Sequence, residues 1–186
     1  WYAVYVATPR EQPGRISPYS PSSRLMLDAI YIDPEAEPEF AHVRPLARML
    51  EERRLTAEAT DLVDYPEVSA LKTEILEAMF GYFREHHLGA HHTARAKVFH
   101  AYVKEQGEPL ENFARFQALQ EHFQKQADEM AWWRRWPEGF RSPDSPDVAH
   151  FAKENAERIQ FFQYLEFLAD GQVGAAAGKT RQAGMA

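Results

Sequence analysis

The residues best suited to chemistry stand near the start of the chain: Ser17-Pro18-Tyr19-Ser20-Pro21-Ser22-Ser23-Arg24, running into Leu25 to Asp28 and then Ile30-Tyr31-Ile32-Asp33. Two prolines fix turns that present one aromatic ring among several hydroxyls. Such a loop suits a sugar, because a ring face stacks on the apolar face of a pyranose while hydroxyls exchange hydrogen bonds. A solvated turn is the plainer reading of the same composition. Trp132, Trp133 and Trp136 form a second cluster, flanked by Arg134 and Arg135. They read as a carbohydrate platform or, as we favour, as a helix end packed into a core with arginines stacked over it.

Other chemistry-bearing residues form no defined site. His86, His87, His91 and His92 lack a cysteine partner and a clear i, i+4 pair on one helix face, so no metal geometry follows. Leu88-Gly89-Ala90 between them reads as a turn joining two helices. A retaining glycosidase-type centre needs two carboxyls about 5–5.5 Å apart. Among the 28 acids no pair stands out, and Glu51-Glu52 or Asp128-Glu129 read as solvated helix faces. No Gly-x-Ser-x-Gly, phosphate-binding glycine loop or His-Glu-x-x-His occurs.

The elements that must position these residues change character along the chain. Trp1 to Thr8 alternates aromatic and β-branched residues with alanine and predicts a strand. Pro9 to Ser23 is a proline-rich loop, and Leu25 to Ile32 a short strand or extended segment closed by Asp33-Pro34. From Pro38 the period becomes helical, with Val43, Leu46, Ala47 and Leu50 on one face and Arg44, Arg48 and Glu51 opposite. Asp64 with Glu67 resembles a capping box that opens a helix to about Glu85, burying Val68, Leu71, Ile75, Ala78, Met79 and Phe83. Thr93 to about Gln106 is a helix carrying Val98, Phe99 and Tyr102, stopped by Gly107. Pro109 to about Trp133 follows, with Leu110, Phe113, Phe116, Leu119 and Phe123 inward. Asp144 or Ser145 then caps one long helix to about Gln182, apolar on more than one side.

Composition bounds the class. At 186 residues with 45% hydrophobic and 13% aromatic content, the chain suits one sizeable core. A net charge of −7 speaks against a nucleic-acid surface. The absence of cysteine excludes a disulfide scaffold and a cysteine nucleophile. No apolar run approaches the roughly 20 residues that span a bilayer, and a cytoplasmic location is the expectation. Opening on Trp1 inside an apolar run and closing after a glycine stop, the chain reads as excised from a larger protein.

The Ser17 to Asp33 segment resembles that after the second barrel strand of bacterial 4-alpha-glucanotransferases (amylomaltases). Further pieces follow in order: Val63-Asp64-Tyr65-Pro66 with Ala70-Leu71-Lys72, Trp136-Pro137-Glu138 before Asp144-Ser145-Pro146, and Phe161 to Gln172 with Tyr164, Leu165, Leu168 and Ala169. The resemblance implies a retaining double displacement on a barrel of eight strands and helices, with two aspartates and a glutamate passing a glucan segment to another glucan's 4-hydroxyl. It implies no organic cofactor and no catalytic metal. In this family the Ser-Pro-Tyr turn lines the acceptor side of the cleft, so Ser17 and Tyr19 carry over as candidate substrate contacts. Ser20, Ser22, Ser23 and Arg24 would brace the loop. Asp28 departs from the asparagine usual there. A remote glucan site that some relatives build on tyrosines is not carried over, since Gly14 and Ser69 stand at its positions.

The expected fold is therefore mainly α: a helical insertion subdomain with a short extended or β N-terminal part, excised from a TIM (β/α)8 barrel enzyme. Residues 1–37 would be barrel-derived, 38–144 the helical insertion and 145–186 a long helix leading back. The three catalytic carboxylates would lie beyond this chain, leaving it inactive alone. The expected partner is a maltooligosaccharide or α-glucan, with no nucleic acid, no membrane and a dimer through surfaces that excision bares. Two rival classes are a non-catalytic helical interaction module and a stand-alone carbohydrate-binding domain built on the tryptophans.

Overall fold

A computed structural model describes Ser23 and residues 25–59, 63–89 and 93–184. Among the described residues the structure is helical, with no strand. Six α-helices follow in order: α1 (Phe40–Met49), α2 (Glu51–Glu58), α3 (Tyr65–Phe83), α4 (Ala94–Gln124), α5 (Pro146–Glu154) and α6 (Ala156–Gln182). The expected strand over Trp1 to Thr8 lies outside the described residues. The chain divides into two compact units: residues 101–164 with the described residues up to Leu27, and residues 28–100 with 165–184.

Leu25 to Ile32 is not a strand. The Asp28 carboxylate accepts from the Ile30 N–H at 3.0 Å and winds Ala29–Tyr31 into a single 3₁₀ turn. Asp33 repeats the device, accepting from the Glu35 N–H at 3.0 Å and opening a second turn over Pro34–Ala36. Short acidic side chains that bond the backbone two residues on compete with a ladder. This segment has no neighbouring strand to pair with among the described residues.

The helix starts follow local chemistry. Asp64 accepts from the Glu67 N–H at 3.1 Å and caps α3, with Pro66 in the first turn. Only half of the capping box forms, because the Glu67 carboxylate instead takes Arg53 Nε of α2 at 2.8 Å. Helix α3 buries Leu71, Leu76, Met79, Phe80 and Phe83, while Val68, Ile75 and Ala78 are only partly covered. After Phe83 the chain widens into a π-helical turn over Arg84–Leu88 rather than a plain turn at Leu88. In α4, Gly107 breaks the helical run with φ 57° and ψ −140°, a conformation that favours glycine. Its first part buries Ala96 and Phe99, whereas Val98 is 57% exposed.

Two expected helices are shorter than their apolar patterns. Helix α4 ends at Gln124, and 3₁₀ turns over Asp128–Ala131 and Trp133–Arg135 replace its predicted last part. The single long helix from Ser145 is two: α5 and α6 are separated by Asn155 at φ −114° and ψ 27°. Asn155 Nδ2 donates to the Phe151 carbonyl at 2.9 Å, which closes α5. In one unit Trp136, Phe123, Leu110, Val148 and Phe161 form the core; in the other, Ile32, Leu76, Phe83, Phe99 and Leu168 do.

Candidate functional site

The segment that leaves the Ser-Pro-Tyr region is anchored from three directions, all within the unit of residues 28–100 and 165–184. Lys72, on α3, reaches back with its ammonium to the carbonyl oxygens of Ile30 and, at 2.8 Å, Ile32. Burial pushes the Lys72 ammonium below its ordinary value, with Asp33 and Asp28 working against that fall. Asp28 thus brings a charge toward Lys72 while still capping the turn. Gln172, on α6, grips Asp33 like a strand partner: its Oε1 accepts from the Asp33 N–H at 2.9 Å, and its Nε2 donates to the Asp33 carbonyl at 2.8 Å.

Arg95 supplies the third anchor. Its guanidinium holds both oxygens of Glu39 at 2.8 and 2.9 Å and Glu37 at 2.7 Å. It also lies 5.0 Å from the Phe167 ring centroid. The Glu39 side chain is 0% exposed, so this is a buried, two-pronged ion pair. Burial works to lower Arg95, but the bonds it donates to Glu39 and Glu37 outweigh it and raise it overall. Gln172 Nε2 also reaches Glu37 at 2.9 Å, joining two of the anchors into one network.

Ser17 and Tyr19, the two candidate substrate contacts, lie outside the described residues, as do Ser20, Ser22 and Arg24. Ser23 is described: its Oγ accepts from the Leu25 and Met26 N–H groups, both at 3.1 Å. His91 and His92 are outside as well. His86 stacks on Tyr82, which stacks in turn on His42, with ring centroids 4.0 and 3.8 Å apart. His87 Nδ1 instead meets Thr93 Oγ1 at 2.8 Å. Among the described residues no three histidines or carboxylates gather as metal ligands.

The tryptophan cluster divides in the other unit. Trp136 is 2% exposed, packed against Phe116 and Phe123, with its indole N–H donated to the Met130 carbonyl at 2.7 Å. Trp132 is exposed, and Arg134 lies 4.6 Å from the Trp133 ring centroid. Trp133 lines an open cleft of about 310 Å³ together with Phe116, Leu119 and Phe140.

Of the three anchoring residues, Lys72 and Gln172 fall in the stretches that carry the family resemblance, whereas Arg95 does not. The 4-alpha-glucanotransferase family (glycoside hydrolase family 77) matches residues 4–186. The chain belongs to this family. It is similar to the 4-alpha-glucanotransferase of Haemophilus influenzae, 33% identical over 181 residues, covering 93% of this chain and 26% of that protein. It is also similar to the 4-alpha-glucanotransferases of Mycobacterium bovis and Mycobacterium tuberculosis, each 28% identical over 179 residues, covering 95% of this chain and 23% of those proteins. The chain thus spans about a quarter of the length of these curated relatives. Within the family segment, Asp64, Lys72, Trp136, Ser145 and Gln172 all have structural duties. Sequence reasoning missed Arg95 and Glu39, which are 56 positions apart and share no local pattern.

Proposed function

We propose that this chain is the helical part of a 4-alpha-glucanotransferase whose barrel completes the active site. The overall reaction is a retaining double displacement that moves a segment of α-1,4-glucan between maltooligosaccharides, and its carboxylates come from the part of the family length outside this chain. Ser17 and Tyr19 contact the acceptor glucan. The helices serve them by holding the segment that follows, through Lys72, Gln172 and Arg95. One observation carries this reading: the family match runs over residues 4–186, and three side chains from three helices converge on residues 30–39 just after the Ser-Pro-Tyr turn. A rigid scaffold that positions a binding loop is the usual division of labour in an enzyme.

The experiment is a maltoheptaose titration of this chain followed by NMR, with a disproportionation assay on the same sample. The expected result is no turnover and weak shifts at Ser17 and Tyr19. Turnover by the chain alone would overturn the reading, because the carboxylates would then lie within it. Absence of any shift at Ser17 and Tyr19 in the complete enzyme would remove them as acceptor contacts.

A further inference from the structure

We infer that the open cleft beside Trp133 receives the exposed Trp132 side chain of a second copy of this chain, so that two copies pair by reciprocal insertion. The inference does not depend on the glucanotransferase reading and concerns only the unit that holds residues 101–164. Phe116, Leu119, Trp133, Phe140 and Val148 stand in the cleft wall, and the surface it presents is almost wholly apolar. Water in such a hollow gains little from its walls and is readily displaced by an apolar group. A volume of about 310 Å³ is small against the roughly 300–1,000 Å³ of ligand pockets and suits a single aromatic side chain.

Trp132 supplies the matching knob. It is 42% exposed, although tryptophan is on average among the well-buried residues, and it does not line its own cleft. The Arg134 guanidinium lies 4.6 Å from the Trp133 ring centroid and 5.6 Å from that of Trp132. The exposed ring therefore stands one guanidinium away from the cleft wall, at its rim. The Trp136 indole N–H, donated to the Met130 carbonyl, ties this stretch to the core on both sides of Trp132. A knob beside a hollow on one face is self-complementary, because a two-fold axis lets each copy fill the other. Tryptophan and arginine are the side chains that most often anchor an interface. Charge permits the pairing although the chain carries −7 overall: residues 129–144 hold three arginines and three carboxylates and sum to zero. Two copies thus meet here without the repulsion that the net charge imposes elsewhere.

The test is analytical ultracentrifugation of this chain across a concentration series, at low and at high salt. A monomer–dimer equilibrium is expected, little changed by salt because the contact is apolar. Trp132→Ala removes the knob and should weaken pairing about tenfold or more. Asn112→Trp, which plugs the cleft from its own wall, should do the same. Each variant alone retains no insertion, whereas one copy of each together regains one. A mixture of the two should therefore associate more tightly than either by itself. The buried Trp136 indole N–H signal, followed by NMR, reports that each variant is folded. A chain that stays monomeric throughout, or a dimer unaltered in Trp132→Ala, would overturn the inference. So would a mixture that associates no better than its components, or a dimer that high salt dissolves. Growth past the dimer with concentration would overturn it as well, since that marks a head-to-tail contact that does not close. None of these readouts involves turnover or shifts at Ser17 and Tyr19, so the pairing and the acceptor loop stand or fall separately.

Discussion

Arg95 joins residues that no local pattern connects, and the most specific consequences follow from it at the scale of single side chains. Removing one partner of a buried, hydrogen-bonded ion pair leaves the other charge unanswered. Arg95→Ala should therefore cost about 3–5 kcal/mol, measured by urea unfolding. Arg95→Lys keeps the charge but loses the fork, and should cost about 1–3 kcal/mol in the same experiment. A cost near zero for both would mean that Glu39 finds another partner. Glu121 gives the pH dependence. Burial alone would raise its carboxyl, but hydrogen bonds from Lys125 and from Arg158, at 2.6 and 2.5 Å, more than offset this and hold it below its ordinary 4.5. A carboxyl lowered on folding stabilises the fold above its unfolded value, and that stabilisation is lost as pH falls through the folded value. The midpoint of thermal unfolding should be higher in the wild type than in Glu121→Gln at about pH 7, and the difference should close toward about pH 3. A difference that does not change with pH would show that packing, not charge, holds Glu121.

At the scale of elements, Gly107 offers the sharpest test. A Cβ there would meet nothing within 4 Å, so any cost of substitution is conformational. Asparagine tolerates the left-handed helical region near ψ +47°, but the observed ψ of −140° lies far from it. Gly107→Ala and Gly107→Asn should both lose about 1–3 kcal/mol, seen as a lower thermal midpoint. Relief by asparagine alone would mean that the chain relaxes into a left-handed helical turn. The features legible in the sequence at this scale are those written within four residues: the Asp64 cap, a cap at Asp144 or Ser145 that falls to Ser145 through the Val148 N–H at 3.2 Å, and the Gly107 break. The end of α4 at Gln124, the division at Asn155 and the 3₁₀ turns over residues 29–36 were not, because apolar periodicity continues through the first two and residues 25–32 are a short, nearly continuous apolar run that reads as extended. In each case a local bond settles the matter, such as Asn155 Nδ2 on the Phe151 carbonyl or Asp28 on the Ile30 N–H.

At the scale of the whole molecule, burial falls sharply along α6. Positions 161–169 are buried with one partial exception, whereas Val173 is 47% exposed and few side chains beyond it are covered. Amide exchange should accordingly be slowest between residues 161 and 169 and fast from about residue 173 onward, since protection follows burial and contact density. Equal protection throughout α6 would mean that the C-terminal part is covered in solution. The family was legible at this scale from the order of its short motifs. The division into two units was not, because each gathers stretches far apart in the chain: 28–100 with 165–184 in one case. The candidate site was legible only in part, since Ser17 and Tyr19 were named from resemblance while Arg95, Glu39 and the Trp133 cleft emerge only from tertiary contacts.

The Lys72 anchor also bears on how this segment can change over evolutionary time. The lysine holds main-chain carbonyls of Ile30 and Ile32, groups that every amino acid possesses. The anchor is therefore indifferent to which side chains those positions carry, leaving only packing to restrain them, foremost at Ile32 with its 1% exposure. Apolar exchanges at Ile30 and Ile32 leave the grip intact, whereas no other residue type at 72 combines the same reach with an ammonium. Variation should accumulate on the held segment and stay rare on the residue that holds it.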